Sequence, residues 1–379
     1  MMKTLTNAMI YDTDARTFFR GSVTFDHLIR EVKKGDASPK GNVIDARGAY
    51  VIPGLIDVHT HGRGNIDVMT ASVDELISMG RLYRAQGVTT LFPTVMTAPQ
   101  TDIFAAISRI RTAAADARTC VHLDGIHIEG PYISAKKAGC HPISHIREMA
   151  AGEAKELITA CLPLHCHMTV APEKPGAEAF IREAAAAGAT VGIGHTAASY
   201  GECKAALHAG ASAFTHLYNA MSPLHHRAAG AVGAALDSDA FVEIICDGEH
   251  ISPEMLRISY RAKEKRDGWV LITDSAPPAG MPDGEYRFAG ASVYLKDGRI
   301  TTKDGVLAGS TLDLFSAVKN RMRFCGVSFG EALYAATAAP AMEVGIYDVC
   351  GSITPGKRAD LTVVPQDLRG VCAVYVDGE

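Results

Sequence analysis

Several features are missing from this chain, and each absence narrows what it can be. No stretch of the 379 residues approaches the ~20 uninterrupted apolar residues of a membrane span, and no basic run suggests binding to a membrane surface. The opening "MMKTLTNAMIYDTDARTF" has no apolar h-region, so no secretory leader is expected. The nine cysteines, an odd number, form no CxxC pair, which speaks against both a zinc ribbon and a disulfide framework. Cys166 and Cys246 lie inside apolar runs and read as reduced core residues, so a cytoplasmic location is expected. The net charge of -5 leaves no basic surface for coating nucleic acid. No GxGxxG follows the first strand-like run, which counts against a dinucleotide-binding open sheet. There is no repeat of fixed period and no low-complexity tail.

What is present is an ordinary globular composition, 47% hydrophobic and 21% charged, long enough for one large domain and a small one. The first 50 residues read as short β segments, "TLTNAMIYD", "GSVTFDHLIREV" and "GNVIDARGAYVI", with the turn-rich "KKGDASPKGN" between the last two. The C-terminal "KRADLTVVPQ" and "VCAVYVDGE" have the same texture. A small composite β-sandwich domain is therefore expected from residues 1–50 and 345–379. Between them, eight strand-like runs alternate with Ala-, Glu- and Lys-rich helical stretches: "VIPGLIDVH", "VTTLFPTV", "VHLDGIHI", "LHCHMTVAP", "TVGIGHT", "SAFTHLYNA", "FVEIICDG" and "WVLITDS". This rhythm predicts an α/β fold, a (β/α)8 TIM-type barrel over residues 51–344.

Such barrels place their chemistry at the C-terminal ends of the strands. Here each run stays apolar until its last residues, where histidine or a carboxylate appears. "PGLIDVHTHG" gives His59 and His61, two apart in an extended strand and so on one side of it. "GIHIEGP" gives Glu129, "GIGHTAAS" His195, "FTHLYNAM" His216, "CDGEH" Asp247 and His250, and "ITDSAP" Asp274. A lone histidine such as His127, His165 or His167 is more simply a satisfied core group. Five candidate ligands at one end of four strands are not so easily dismissed. Imidazoles and a carboxylate suit a divalent ion, Zn²⁺ or Fe²⁺, with positions left for water. Asp274 can then take a proton from water and return it to a leaving amine. The residues by themselves reach metal-assisted hydrolysis of an amide or related bond, and stop short of the substrate.

"PGLIDVHTHG", "HIEGPYI", "GHTAASY", "THLYNAM", "DGEH", "TDSAPPAG" and "LAGSTLDLFSAV", in that order from about residue 50 to 340, resemble the N-acetylglucosamine-6-phosphate deacetylases of the amidohydrolase superfamily. The resemblance implies that Glu129, His195 and His216 hold the main divalent ion and that Asp274 is general base and then general acid. It implies that His141 contacts the acetyl carbonyl beside Cys140, and that Asn219 and Ala220 face the sugar phosphate. Asp247 and His250 would lie near the sugar, with Leu307, Ala308 and Gly309 in a loop lining the same pocket. Arg227 would reach the phosphate in a neighbouring subunit, which implies a homodimer. Because His59 and His61 are kept, a second ion bridged by Glu129 is open. Cys140 stands where the family has a small non-thiol residue, and His225 and His226 precede Arg227 in a variable stretch. The implied substrate is a phosphorylated amino sugar, N-acetylglucosamine 6-phosphate; N-acetylgalactosamine 6-phosphate, a cyclic amide and a non-catalytic scaffold are the alternatives. "HMTVAPEK" at the end of strand four does not follow the dihydroorotase pattern of a carboxylated bridging lysine there. No nucleic-acid or membrane partner is implied.

Overall fold

A computed structural model describes residues 1–35 and 40–379, so four residues of the turn-rich "KKGDASPKGN" lie outside the described residues. The middle of the chain is the expected barrel. Its strands are β1 (Leu55–Thr60), β2 (Val88–Met96), β3 (Gly125–Glu129), β4 (His165–Val170), β5 (Thr190–Ile193), β6 (Ala213–Phe214), β7 (Phe241–Ile245) and β8 (Trp269–Ile272). Each pairs in parallel with the next. The ring closes between β8 and β1 through a parallel bridge, Thr60 to Ser275. Behind that bridge the Asp57 carboxylate accepts from the N–H (3.2 Å) and hydroxyl (2.6 Å) of Thr273.

Strands covered on both faces read as apolar runs, and every residue of β2 is buried. Most of the helices between them bury one stripe, while Gly230–Leu236 is buried all round. The Val73–Arg84 helix opens on a capping box, Ser72 with Glu75, and turns Leu76, Ile77, Met79 and Tyr83 inward. Tyr200–Ala209 opens the same way on Ser199 and Glu202. Each fully buried Leu, Ile or Met side chain contributes roughly 1.5–3 kcal/mol, so packing outweighs the tenths that propensity supplies.

Strands from both chain ends join one mixed sheet: Ala373–Tyr375, Leu361–Val364, Tyr50–Pro53, Lys3–Asp12, Thr17–Phe25 and Ile29–Lys34 in spatial order. Asn42–Asp45 and Tyr50–Pro53 pair in turn with the same strand, Lys3–Asp12, at its start and near its end. The sheet divides there and folds over a small core that includes Leu5, Ile10, Val23, Phe25 and Leu361. The expected "GSVTFDHLIREV" segment is two strands, interrupted at residues 26–28, where the Asp26 carboxylate accepts the Leu28 N–H. "VIPGLIDVH" also divides: Tyr50–Pro53 belongs to the terminal sheet and Leu55–Thr60 to the barrel. The crossing point is Gly54, where a Cβ would lie 2.1 Å from the Thr89 hydroxyl oxygen.

One element was not anticipated. After β8 the chain forms an antiparallel meander, Gly284–Phe288, Ala291–Lys296 and Arg299–Thr302. Its two turns, Ala289–Gly290 and Asp297–Gly298, have positive φ at both positions, which suits tight hairpins. Phe288, Val293, Leu295 and Ile300 pack on Met96, Ala276 and Ala308, so the meander sits over the mouth of the barrel.

Candidate active site

The strand ends converge on one carboxylate. Glu129 is 1% exposed, and four imidazoles from three other strands surround it. His216 Nε2 stands 2.9 Å from Oε1, His195 Nε2 3.3 Å and His59 Nε2 3.6 Å from the same oxygen, and His61 Nε2 3.1 Å from Oε2. His141, from the loop after β3, completes the ring at 3.3 Å from Oε2. Asp274 faces the cluster from β8, its Oδ1 3.2 Å from His61 Nε2 and 3.6 Å from His59 Nε2. All five expected ligands and both expected catalytic residues are thus brought to one point.

The backbone that aims them is unusual. His195, His216 and Asp274 have φ of 45°, 33° and 47°. Non-glycine residues in the left-handed region are costly and collect at functional sites. Here they stand just past the ends of β5, β6 and β8, where the chain turns inward over the barrel. The Asp274 N–H donates to the His59 carbonyl at 2.9 Å, so barrel closure and site assembly share one hydrogen bond.

Two buried carboxylates with no lysine or arginine against them need positive charge from elsewhere. In the protein alone, imidazole protons supply it. Burial opposes ionisation of Glu129, yet the charge of His59 and the hydrogen bonds from His141, His195 and His216 hold it well below the usual carboxylate range. Burial likewise opposes a charged His61, but the bonds to Asp274 and Glu129 raise it to about 9. Asp274, also pushed up by burial, is nevertheless held low by the His61 bond and the charges of His59 and His61. A divalent ion would replace those protons with the same charge on nitrogen and oxygen donors suited to it. The residues therefore fit a metal: His59, His61 and Asp274 offer donors within 4.8 Å of one another, as do Glu129, His141 and His195.

His141 differs from the others. Burial lowers it to about 4, and the charge of His195 adds to the effect, so its ring is neutral. The Thr97 hydroxyl, 2.9 Å from Nδ1, can donate there and leave the ring proton on Nε2, toward the cluster. His195 is fixed in the opposite sense, Nδ1–H donating to the Lys137 carbonyl at 2.7 Å.

Above the cluster lies a cavity of about 380 Å³, lined among others by Cys140, Asn219, Ala220, His250, Leu307 and Gly309. Asp247 and Ala308, expected there, are not on its wall. Asp247 lies behind His250, whose Nδ1–H it accepts at 2.6 Å. Ala308 is fully buried under the meander. Arg227, with His225 and His226, is exposed on the surface, away from this chain's own cavity. Sequence reasoning overlooked Lys136 and Lys137, which line the cavity from a short turn after β3. It also overlooked Glu243, a lone charge in the apolar run of β7, fully buried against His59 and His167. Burial raises its carboxyl, but hydrogen bonds from His167 and His59 bring it down to about 2. His127 and His167 are buried and hydrogen-bonded, as expected of core groups, whereas His165 is exposed at the start of β4.

The sequence matches the amidohydrolase family over residues 50–379. It is 39% identical to an N-acetylglucosamine-6-phosphate deacetylase of Vibrio furnissii, over 91% of this chain and 87% of the relative. It is 36% identical to an N-acetylgalactosamine-6-phosphate deacetylase of Escherichia coli O157:H7, over 89% of each. Among solved structures it resembles the N-acetylglucosamine-6-phosphate deacetylase of Pasteurella multocida, with a TM-score of 0.93 and 31% identity over 100% of this chain and 99% of that one.

Proposed function

The chain belongs to the N-acetylglucosamine-6-phosphate deacetylases of the amidohydrolase superfamily, and on that premise we propose that it hydrolyses the acetamide of N-acetylglucosamine 6-phosphate to acetate and glucosamine 6-phosphate. The observation that carries this reading is the convergence of Glu129, four strand-end histidines and Asp274 beneath a cavity with two lysines on its wall. The composite β domain of the two chain ends, which takes in Tyr50–Pro53 and Leu361–Val364, supports the catalytic barrel that opens at Leu55 in this scheme.

Glu129, His195 and His216 would hold one divalent ion, zinc or iron, and His59 and His61 would hold a second beside Glu129. When bound, such an ion supplies the positive charge that acidifies water and polarises a carbonyl. The Asp274 carboxylate takes a proton from the water that attacks the acetyl carbon. The neutral His141 donates its Nε2–H to the carbonyl oxygen as negative charge grows there. Asp274 then passes its proton to the sugar nitrogen, the C–N bond breaks, and acetate and the free amine leave. Phe288 and Leu307 supply part of the cavity's apolar wall.

Phosphate selectivity would come from charge at the rim. Lys136, Lys137, Asn219, Ala220 and His250 are at hand within the chain. Arg227, exposed, is assigned to the cavity of a second subunit in a homodimer, where a guanidinium can grip phosphate bidentately. Nine unpaired cysteines favour a reducing cytoplasm, and no helix among the described residues is long and apolar enough to cross a membrane.

The 36% identical relative named for the galactosamine epimer favours a second reading, with N-acetylgalactosamine 6-phosphate as substrate. Comparing kcat/KM for the two 6-phosphates with purified, metal-replete protein decides between them. A higher value for the gluco sugar is expected; a clear preference for the galacto sugar would transfer the assignment to the epimer, and no turnover of either would refute it.

A further inference from the structure

Below the catalytic cluster the barrel axis is polar, which is costly unless every group is bound. Glu243 projects into it from the middle of β7, fully buried and without any lysine or arginine beside it. Both of its oxygens are used. Oε2 lies 3.1 Å from His59 Nδ1, and Oε1 lies 3.0 Å from His167 Nε2. His167 is anchored in turn by the Thr190 hydroxyl, 2.8 Å from Nδ1. Read from its far end, the chain of donors is consistent: Thr190 O–H to His167, His167 N–H to Glu243, His59 Nδ1–H to Glu243. That leaves His59 Nε2 facing Glu129 and Asp274, each at 3.6 Å. His127, itself held by Thr94 and Thr169, packs edge-on against the His59 ring with centroids 4.3 Å apart.

The other imidazoles of the cluster are treated differently. His195 has a backbone carbonyl behind its Nδ1, and the Nδ1 atoms of His61 and His216 are buried without a partner among the described residues. His59 therefore stands apart in having a carboxylate behind it. A carboxylate in that position fixes the tautomer and ring orientation of a ligating imidazole and raises its basicity.

We propose that Glu243, braced by His167 and Thr190, is the positioning residue that sets metal affinity at the His59–His61 end of the site; at the Glu129–His195–His216 end it meets only the His216 backbone N–H, 3.4 Å from Oε2, and no ligating imidazole. The inference rests on the reading above that His59 and His61 hold an ion.

The test is a zinc titration of metal-stripped, full-length wild type and Glu243→Gln against a competing chelator, with bound ions counted by mass spectrometry. The wild type should take up two ions per chain. The variant should hold one as tightly as before and the other about 10- to 100-fold more weakly. Unchanged affinity for both ions in Glu243→Gln overturns the proposal alone. A wild type that binds a single ion overturns the underlying reading, and the proposal with it. Should the variant fail to fold, ¹⁵N-histidine spectra of the zinc-loaded wild type carry the same question. The His59 resonances, assigned by their loss in His59→Gln, should show a protonated Nδ1 and a zinc-bound Nε2; the reverse tautomer refutes the positioning role.

Discussion

Replacing Asp274 by Asn removes a base and one buried negative charge, and keeps the shape of the side chain. Asp274 has φ 47°, a region in which asparagine, unlike most residues, is readily accommodated. Its backbone bonds, N–H to the His59 carbonyl at 2.9 Å and C=O from the Ser310 N–H at 2.7 Å, do not involve the side chain. The amide oxygen can keep the 3.2 Å contact with His61 Nε2. Fold and barrel closure should therefore survive, at a cost of about 1–3 kcal/mol for the charge lost opposite His61 and His59. What is lost is a carboxylate able to accept and return a proton. General acid–base groups contribute about 10²–10⁴-fold, or about 3–5 kcal/mol of barrel-mouth catalysis expressed as barrier height. Steady-state acetate release at saturating N-acetylglucosamine 6-phosphate should fall by that factor, with the protein still folded at the assay temperature and the ion at Glu129, His195 and His216 retained. A variant that keeps its fold and metal and still works within tenfold of wild type refutes the role given to Asp274.

Four further outcomes follow from other parts of the structure. Arg227→Ala should lower kcat/KM for the phosphorylated sugar about 10- to 100-fold, the loss of a charge-assisted contact; mixed dimers with Asp274→Asn should regain one complete site, and a mixture with no recovered activity would refute service across the interface. Glu343 is buried with both oxygens unpartnered among the described residues, and burial, with Glu243 adding to it, raises its carboxyl well above the usual range. A carboxyl raised in the fold stabilises below its unfolded pKa and loses that stability as pH rises, so Glu343→Gln should gain on wild type by up to about 1.4 kcal/mol per pH unit above the ordinary glutamate range, measured by urea unfolding. A constant difference between acid and neutral pH would contradict this. Gly309 has φ 67°, and a Cβ there would stand 2.7 Å from Ala276 Cβ and 3.0 Å from the Asp274 carbonyl; Gly309→Ala should cost about 1–3 kcal/mol and displace Asp274, seen as parallel losses in unfolding midpoint and turnover.

Much of this was legible in the chain because a barrel separates its signals cleanly. β2, β3 and β8 are buried along their whole length, and the polar residues that end the strands are the ones that meet at Glu129. What stayed hidden was hidden for physical reasons. The division of "VIPGLIDVH" at Gly54 depends on a close approach to Thr89, 35 residues along the chain, which no local pattern records. Glu243 looks like an isolated charge in an apolar run until its partners arrive from β1 and β4. The left-handed φ at His195, His216 and Asp274 is imposed by the surrounding fold, since none of these is glycine. The meander was readable: Asp297–Gly298 between alternating runs is a strong hairpin signal. Lys136 and Lys137 read as solvated charges and reach the cavity only because the loop after β3 folds over it.

The central claim is deacetylation of a phosphorylated amino sugar by a metal-holding cluster. Its most direct test is acetate release from N-acetylglucosamine 6-phosphate and from unphosphorylated N-acetylglucosamine, each with metal-replete and metal-stripped protein. Release should be rapid from the phosphate ester with the metal-replete protein and small in the other three conditions. Equal turnover of both sugars would contradict the phosphate assignments of Arg227 and the rim, and full activity after stripping would contradict the metal reading of Glu129, His195 and His216.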